Sequence, residues 1–443
     1  MKTGKTLRGS AKLAFDAAHG VTTIVENMYR NIAATPLPLG EAPEGHAQGI
    51  AGFVHESIRL VIRTTSRTSD WVLERIAPRL DRTLLPGPHR EAVIAALNGV
   101  CGDHLARSGN SLAIPMQLRV LLPPVTPPGE IPDLRSPTRN RPAEHQVPAA
   151  KLFEVEKRSV EIHPRPKALT DSGFSPSGRL LILVHGLSMN EREWTSHQHN
   201  HAETLAENSD YTPVYALYNS GLNISTNGRE LCTQLTGLLD AWPVPIDSIS
   251  FIGYSMGGLL TRSAMHIAKE EGHAWLAKVD KAVYLGTPHH GAVMERGGYW
   301  LQKGMTYSPY TAPLSALGRI RSTGITDLRH GNVQDEDWQH HDEHEDNTDS
   351  RRPTPLEDKI KHYAIAATLS KRSGERIGRL LGDGLVHPSS ATGRHSNPNL
   401  HLAFPEKHTK IFYDLGHLAM LHDLRVMSQL KEWLLPERPR GVN

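Results

Sequence analysis

The run Gly253-Tyr254-Ser255-Met256-Gly257 constrains this chain more than any other stretch. Ahead of it lies Ser250-Phe251-Ile252, a short apolar run suited to a buried strand. After it, Gly257-Gly258-Leu259-Leu260 opens a helical pattern that continues to Glu271. A chain that passes from strand to helix in so few residues needs an unusual backbone at the turn, with small residues on both sides. Ser255 holds the turn position, its hydroxyl lifted above the sheet and a helix N-terminus directed at it, where developing negative charge is stabilised. A bare G-x-S-x-G run arises by chance; the strand before it and the helix after it make Ser255 a candidate nucleophile rather than an idle serine in a glycine-rich turn.

The second half of the chain repeats this strand-and-helix alternation, as expected for an α/β fold with a mostly parallel sheet and helices on both faces. The expected strands are Leu180–Val184, Thr212–Leu217, Ser248–Ile252, Lys281–Leu285, Tyr363–Ala367 and Lys410–Tyr413. Helices are expected at Asn227–Leu239, capped by Thr226, and at Gly257–Glu271. Each strand ends near Gly, Asn, Ser, Thr or His, where the ligand-facing loops of such sheets lie.

An acyl-transfer intermediate needs two backbone donors for its oxyanion. The amide of Met256, next after the serine, is one. The other is expected from Leu187, because Leu181-Ile182-Leu183-Val184-His185-Gly186-Leu187 reads as a strand with a tight His-Gly turn. His185 is read as a hydrogen-bonding group of that turn. The acid and the histidine should follow the serine in chain order, each after a later strand. Asp383, between Gly382 and Gly384, is the acid of choice, with an Asx-turn residue as the bland alternative and Asp414 and Asp423 as rivals. His417, delivered by Asp414-Leu415-Gly416 after the last strand, is preferred to His422 as the general base. The helix after His417 is expected to start at Leu418 and run to Leu434.

The first 121 residues read as a helical region. Leu7, Ala11, Ala14, Ala18, Val21, Val25, Met28 and Ile32 make one stripe, and Ile50, Val54, Ile58, Val61, Thr65, Val72 and Ile76 a second. A third helix is expected from Pro88 to Gly109. These stripes suit a helical bundle packing on itself or on the main domain; a partner-facing surface, or peripheral contact with a membrane or lipid surface, is the alternative for the first. From 122 to 150 eight prolines exclude a helix or central strand and imply a linker or strap, so the catalytic domain is expected over 151–443.

Forty-nine basic and 47 acidic residues leave a net charge of +2, so no global field draws the chain to nucleic acid. The basic start lacks the apolar run of a signal peptide, and no stretch is apolar enough for a membrane span; a cytoplasmic location is expected. Cys101 and Cys232, the two cysteines, are then expected as free thiols.

From about Leu180 onward the motifs resemble bacterial lipase-like α/β-hydrolases related to the GPI inositol-deacylase group. His185-Gly186-Leu187, Gly253-Tyr254-Ser255-Met256-Gly257-Gly258, Gly286-Thr287-Pro288-His289-His290-Gly291, Asp383-Gly384-Leu385-Val386 and His417-Leu418-Ala419-Met420-Leu421 carry the resemblance. It implies the α/β-hydrolase fold, no cofactor, and hydrolysis of a carboxylic ester, with a small-molecule or lipid ester as partner. Acyl transfer by the same residues and a non-catalytic binding protein on such a core are the alternatives. His289 or His290 is expected at the mouth of the pocket. The insertion over 292–360 is where a lid would lie, with Tyr299, Trp300, Leu301, Met305 and Tyr307 giving it an apolar face or packing in the core. The run Asp335, Glu336, Asp337, His340, His341, Asp342, His344 and Asp346 has no fixed ligand spacing and is read as a solvated loop, not a metal site.

Overall fold

The computed structural model describes residues 87–107, 109–110, 112–122, 158–162, 175–195, 200–292, 322–339, 349, 351–371 and 382–435. The stripes before residue 87, most of the proline-rich stretch and the residues 299–307 expected in a lid lie outside them.

Eight strands form one sheet: β1 Gln117–Leu122, β2 Arg158–Glu161, β3 Arg179–Val184, β4 Tyr211–Leu217, β5 Ser248–Tyr254, β6 Val279–Leu285, β7 Lys361–Thr368 and β8 Thr409–Tyr413, in the order β2-β1-β4-β3-β5-β6-β7-β8. From β4 to β8 the sheet is parallel, while β1 runs antiparallel to both β4 and β2. This is the α/β-hydrolase fold. The central strands are nearly continuous apolar runs because helices cover both faces of a parallel sheet. In β3, Leu180, Ile182 and Val184 join one core cluster while Leu181 and Leu183 join the other.

Six helices are labelled: α1 Gly87–Arg107, α2 His201–Glu207, α3 Ile224–Ala241, α4 Met256–Glu271, α5 Thr323–His330 and α6 Leu424–Leu434. Leu231, Leu235, Leu260 and Ala264 of α3 and α4 pack with Phe251, Tyr284 and Trp275 on one face. Leu205 of α2 and Val426, Leu430 and Trp433 of α6 pack with Ile252 and Ile365 on the other. The chain goes from β3 outward to β4, then crosses back to β5 on the far side of β3. The ends of β3 and β5 therefore flank a switch in strand order, where open α/β sheets bind ligands.

Several expectations are corrected. The end of the supposed helical region is strand β1, whose burial alternates along Gln117–Leu122 as suits an outer strand with one face covered. Leu122, counted in the linker, belongs to this strand. Helix α3 begins before Thr226, at Ile224, because Asp327 Oδ2 of α5 accepts its backbone N–H at 2.8 Å. The final helix is not continuous: a short turn over Leu418–Leu421 breaks at His422, and Asp423 caps α6 by accepting from the Arg425 N–H at 2.7 Å. Cys232 is a buried free thiol that bonds the Ala264 carbonyl, and burial raises its pKa to about 12. Among the described residues no helix is long and apolar enough to cross a membrane.

Candidate active site

Ser255 sits between β5 and α4 with φ 52° and ψ −122°, a backbone that side-chain-bearing residues rarely take. Its own N–H donates to the Leu285 carbonyl of β6 at 2.8 Å, which pins the turn to the neighbouring strand. The flanking glycines permit the close approach: a methyl at Gly253 would lie 2.6 Å from Gly258 Cα, and one at Gly257 would run into the carbonyl oxygens of Val184 and His185. The Met256 N–H is the first of α4 and one of the helix-end donors with no partner inside the helix.

The loop after β3 approaches from the adjacent strand. His185 is buried; its Nδ1 bonds the Gly186 carbonyl at 2.8 Å, its ring stacks on Tyr218 at 4.3 Å, and its Nε2 accepts from the Tyr218 N–H at 3.4 Å. Burial lowers its pKa to about 4, so it stays neutral and structural, as expected. Ser188 has φ 60°, and its N–H donates to Ser220 Oγ at 2.9 Å. Leu187 between them packs on the apolar cluster of Ile224, Met256, Leu259, Leu328 and Val333.

His417 and Asp383 arrive from two other loops and meet. His417 Nδ1 lies 2.7 Å from Asp383 Oδ2, and the His417 N–H donates to the Asp383 carbonyl at 3.0 Å. Asp383 Oδ1 accepts from the Leu385 and Val386 N–H groups at 3.0 and 2.8 Å, so the carboxylate is held on both oxygens. An ionised carboxylate only accepts, which puts the ring proton on Nδ1 and leaves Nε2 as the basic nitrogen. That Nε2 is buried and has no hydrogen-bond partner among the described residues. The ring packs against Tyr254, centroids 5.0 Å apart, whose hydroxyl donates to the His417 carbonyl at 3.1 Å. A methyl at Gly286, in the loop beside Ser255, would lie 3.0 Å from His417 Cε1.

The rivals are elsewhere. Asp414 ends β8 with φ 53° and bonds Ser370 through its N–H. Asp423 is the cap of α6, and His422 sits at the break before it.

Residues 175–339 match the family model described as "Putative serine esterase (DUF676)". No curated protein matches the sequence. Among solved structures, the mature Bacillus licheniformis lipase BlEst2 is 18% identical over 58% of this chain and 92% of that one, with a TM-score of 0.38. A lipase-esterase related protein from Clostridium acetobutylicum is 13% identical over 58% and 95%, at 0.31. Phospholipase PlaB of Legionella pneumophila is 13% identical over 48% and 45%, at 0.29.

Two features escaped the sequence reading. His289 and His290, expected at the mouth of the pocket, are both buried, with their Nδ1 atoms 3.4 Å from Arg262 Nη1 and Arg351 Nη2 respectively. Helix α1 also reaches the site's loops: Asn219 Nδ2 donates to the Gly102 carbonyl at 2.9 Å, Ser322 Oγ to the Gly99 carbonyl at 3.1 Å, and Arg192 pairs with Glu91 at 2.5 Å. These contacts join residues about 100 or more positions apart, and no local pattern announces them. Of the acid- and histidine-rich run, Asp335 forms a two-bond pair with Arg229 and Asp337 accepts the Val333 and Gln334 N–H groups, while His340, His341, Asp342, His344 and Asp346 lie outside the described residues.

Proposed function

We propose that this chain is a serine hydrolase of carboxylic esters in which Ser255, His417 and Asp383 act together and the Leu187 and Met256 amides hold the oxyanion. The observation that carries the reading is the His417–Asp383 pair at 2.7 Å, with Nε2 of the same ring buried and unpartnered beside the turn that presents Ser255. The family model over 175–339 supports the same chemistry.

Ser255 Oγ attacks the ester carbonyl carbon and its proton passes to His417 Nε2. The carbonyl π pair moves to oxygen, which accepts from the two amides. Asp383 stabilises the imidazolium and fixes its tautomer without taking the proton. The tetrahedral carbon then expels the alkoxide, which leaves as the alcohol with the proton from His417. Water attacks the acyl-enzyme, gives a proton to His417, and Ser255 leaves with that proton as the free acid departs.

The acyl group would rest on the apolar cluster that Leu187 and Met256 share with Ile224 and Leu328. This supports an apolar acyl chain, and the resemblance to lipase-like and GPI inositol-deacylase-like proteins extends the reading to lipid-like esters. Ser255→Ala, assayed on p-nitrophenyl esters of rising chain length, should lower turnover by about 10⁴-fold or more at every length. Hydrolysis that survives in the folded variant would overturn the reading. The chain length preferred by the unsubstituted protein then fixes the acyl group, and release of free acid as against an ester of an added alcohol separates hydrolysis from acyl transfer.

A further inference from the structure

On the face of the sheet covered by α4, the loop after β6 places His289 and His290 around a cavity of about 10 Å³, lined also by Arg262, Arg351, Asp337 and Thr354. Arg262 is 7% exposed, His289 0% and His290 7%. Arg262 Nη2 donates to the Thr354 carbonyl at 2.7 Å and Nη1 lies 3.4 Å from His289 Nδ1, while its Nε has no partner among the described residues. Among the described residues Arg262 forms no ion pair, although a buried guanidinium without a carboxylate is costly. Desolvation pulls its pKa down to about 10, so it remains a cation at neutral pH.

The histidine tautomers follow from their arginine neighbours. Arginine only donates, so Nδ1 of each imidazole accepts: His289 from Arg262, and His290 from Arg351 at 3.4 Å. Burial holds both rings neutral, His289 well below the usual histidine range and His290 at about 3, against the Gly393 carbonyl that favours its protonated form. His289 then carries its hydrogen on Nε2, which has no partner among the described residues, whereas the His290 ring has the Gly393 carbonyl beside it. Two buried N–H donors, Arg262 Nε and His289 Nε2, thus lack an acceptor among the described residues.

The other charged groups around the cavity are already engaged. Asp337 accepts from the Val333 and Gln334 N–H groups on Oδ2 and from the Arg352 N–H on Oδ1. Arg351 pairs with Asp349 at 2.7 Å and donates to the carbonyls of His289 and Gly331, and the Arg352 side chain pairs with Glu336 at 3.2 Å. The Asp337 carboxylate offsets the Arg262 charge through space, but no carboxylate touches the guanidinium among the described residues.

We propose that the cavity binds a single monatomic anion, a chloride ion, that accepts from Arg262 Nε and His289 Nε2. About 10 Å³ is room for roughly one water-sized sphere, which favours a monatomic ion over phosphate, sulfate or a carboxylate. Water fits by size, but it leaves Arg262 with no counter-charge in contact and adds two hydrogens to a cavity already rich in donors. The ion would tie α4, the loop after β6 and the segments near residues 337 and 354 into one unit, a stabilising role independent of ester hydrolysis.

Crystals of the full chain grown with bromide in place of chloride test this directly. An anomalous peak in the cavity beside Arg262 Nε and His289 Nε2 is expected, and a cavity holding only water overturns the proposal. In solution, the melting temperature should rise saturably by about 2 °C or more when sodium gluconate is replaced by sodium chloride at equal ionic strength. Arg262→Met should abolish this rise, and an equal chloride response in that variant would overturn the proposal.

Discussion

His417 is held by two neighbours distant in sequence: Asp383 bonds its Nδ1, and Tyr254 packs against the ring and donates to its carbonyl. Asp383→Asn should therefore cut kcat by up to about 10⁴-fold with little change in KM, because an amide can leave the ring in the wrong tautomer. Asp414→Asn, made in parallel on the same ester, should keep near-full kcat; the reverse pattern would reassign the acid. Both residues are aspartates in loops after late strands, and the two flanking glycines set Asp383 apart. Gly382 indeed has φ 55° and Gly384 φ 99°, the backbone that turns the carboxylate toward His417. Asp327 offered no such sign, since its partner Ile224 lies 103 residues away.

Elements meet the site through that same residue. Asp327 of α5 accepts from the Ile224 and Asn223 groups at the start of α3 and from Asn332 Nδ2 at 3.0 Å. Burial nevertheless pushes its carboxyl up to about 7, with Asp337 adding to the rise and those three donors opposing it. The folded state thus holds this proton across a range where the unfolded chain has lost it. Below pH 4 both states are protonated and the contribution is complete; it falls as pH rises from about 4 to about 7 and then levels off. Urea unfolding at pH 5 and pH 8 should show a smaller loss of stability with pH in Asp327→Asn than in the parent, whatever the variant's absolute stability. At the turn between β5 and α4, Gly257→Ala should abolish ester turnover, because its methyl would run into the Val184 and His185 carbonyls and push the helix away from the loop that supplies Leu187. Strands β3, β5 and β6 were legible because fully buried parallel strands are written as apolar runs. Strand β1 was not: its alternating Gln-Leu-Arg-Val-Leu-Leu is short and runs straight into prolines, and only pairing with β4 and β2 makes it a strand.

Across the whole molecule, α1 is fastened to the loops of the sheet domain. Asn98 accepts the Ile114 N–H at 2.9 Å and donates to the Leu112 carbonyl, fastening α1 to the lead-in of β1. A side chain at Gly102 would meet Asn219 and one at Gly99 would meet Ser188, both in loops at the candidate site. Gly102→Val should therefore cost about 1–3 kcal/mol by overpacking, in the same cooperative transition that Trp275→Ala lowers from the sheet core by about 3–5 kcal/mol. Two separable transitions by calorimetry would show that α1 unfolds independently. The Ser-acid-His order, the strand endings and the turn at Ser255 were written locally, so most of the candidate site was readable. The clasp by α1 and the buried arginine-histidine cluster were not, because each is assembled from segments that meet only in the folded chain. The central claim, that Ser255 is an activated nucleophile, is tested most directly by mass spectrometry after reaction with a fluorophosphonate. One adduct per chain on Ser255 is predicted, absent in Ser255→Ala and much slower in His417→Ala. Folded protein that leaves Ser255 unlabelled, or labelling at Ser255 that is equally fast without His417, would contradict it.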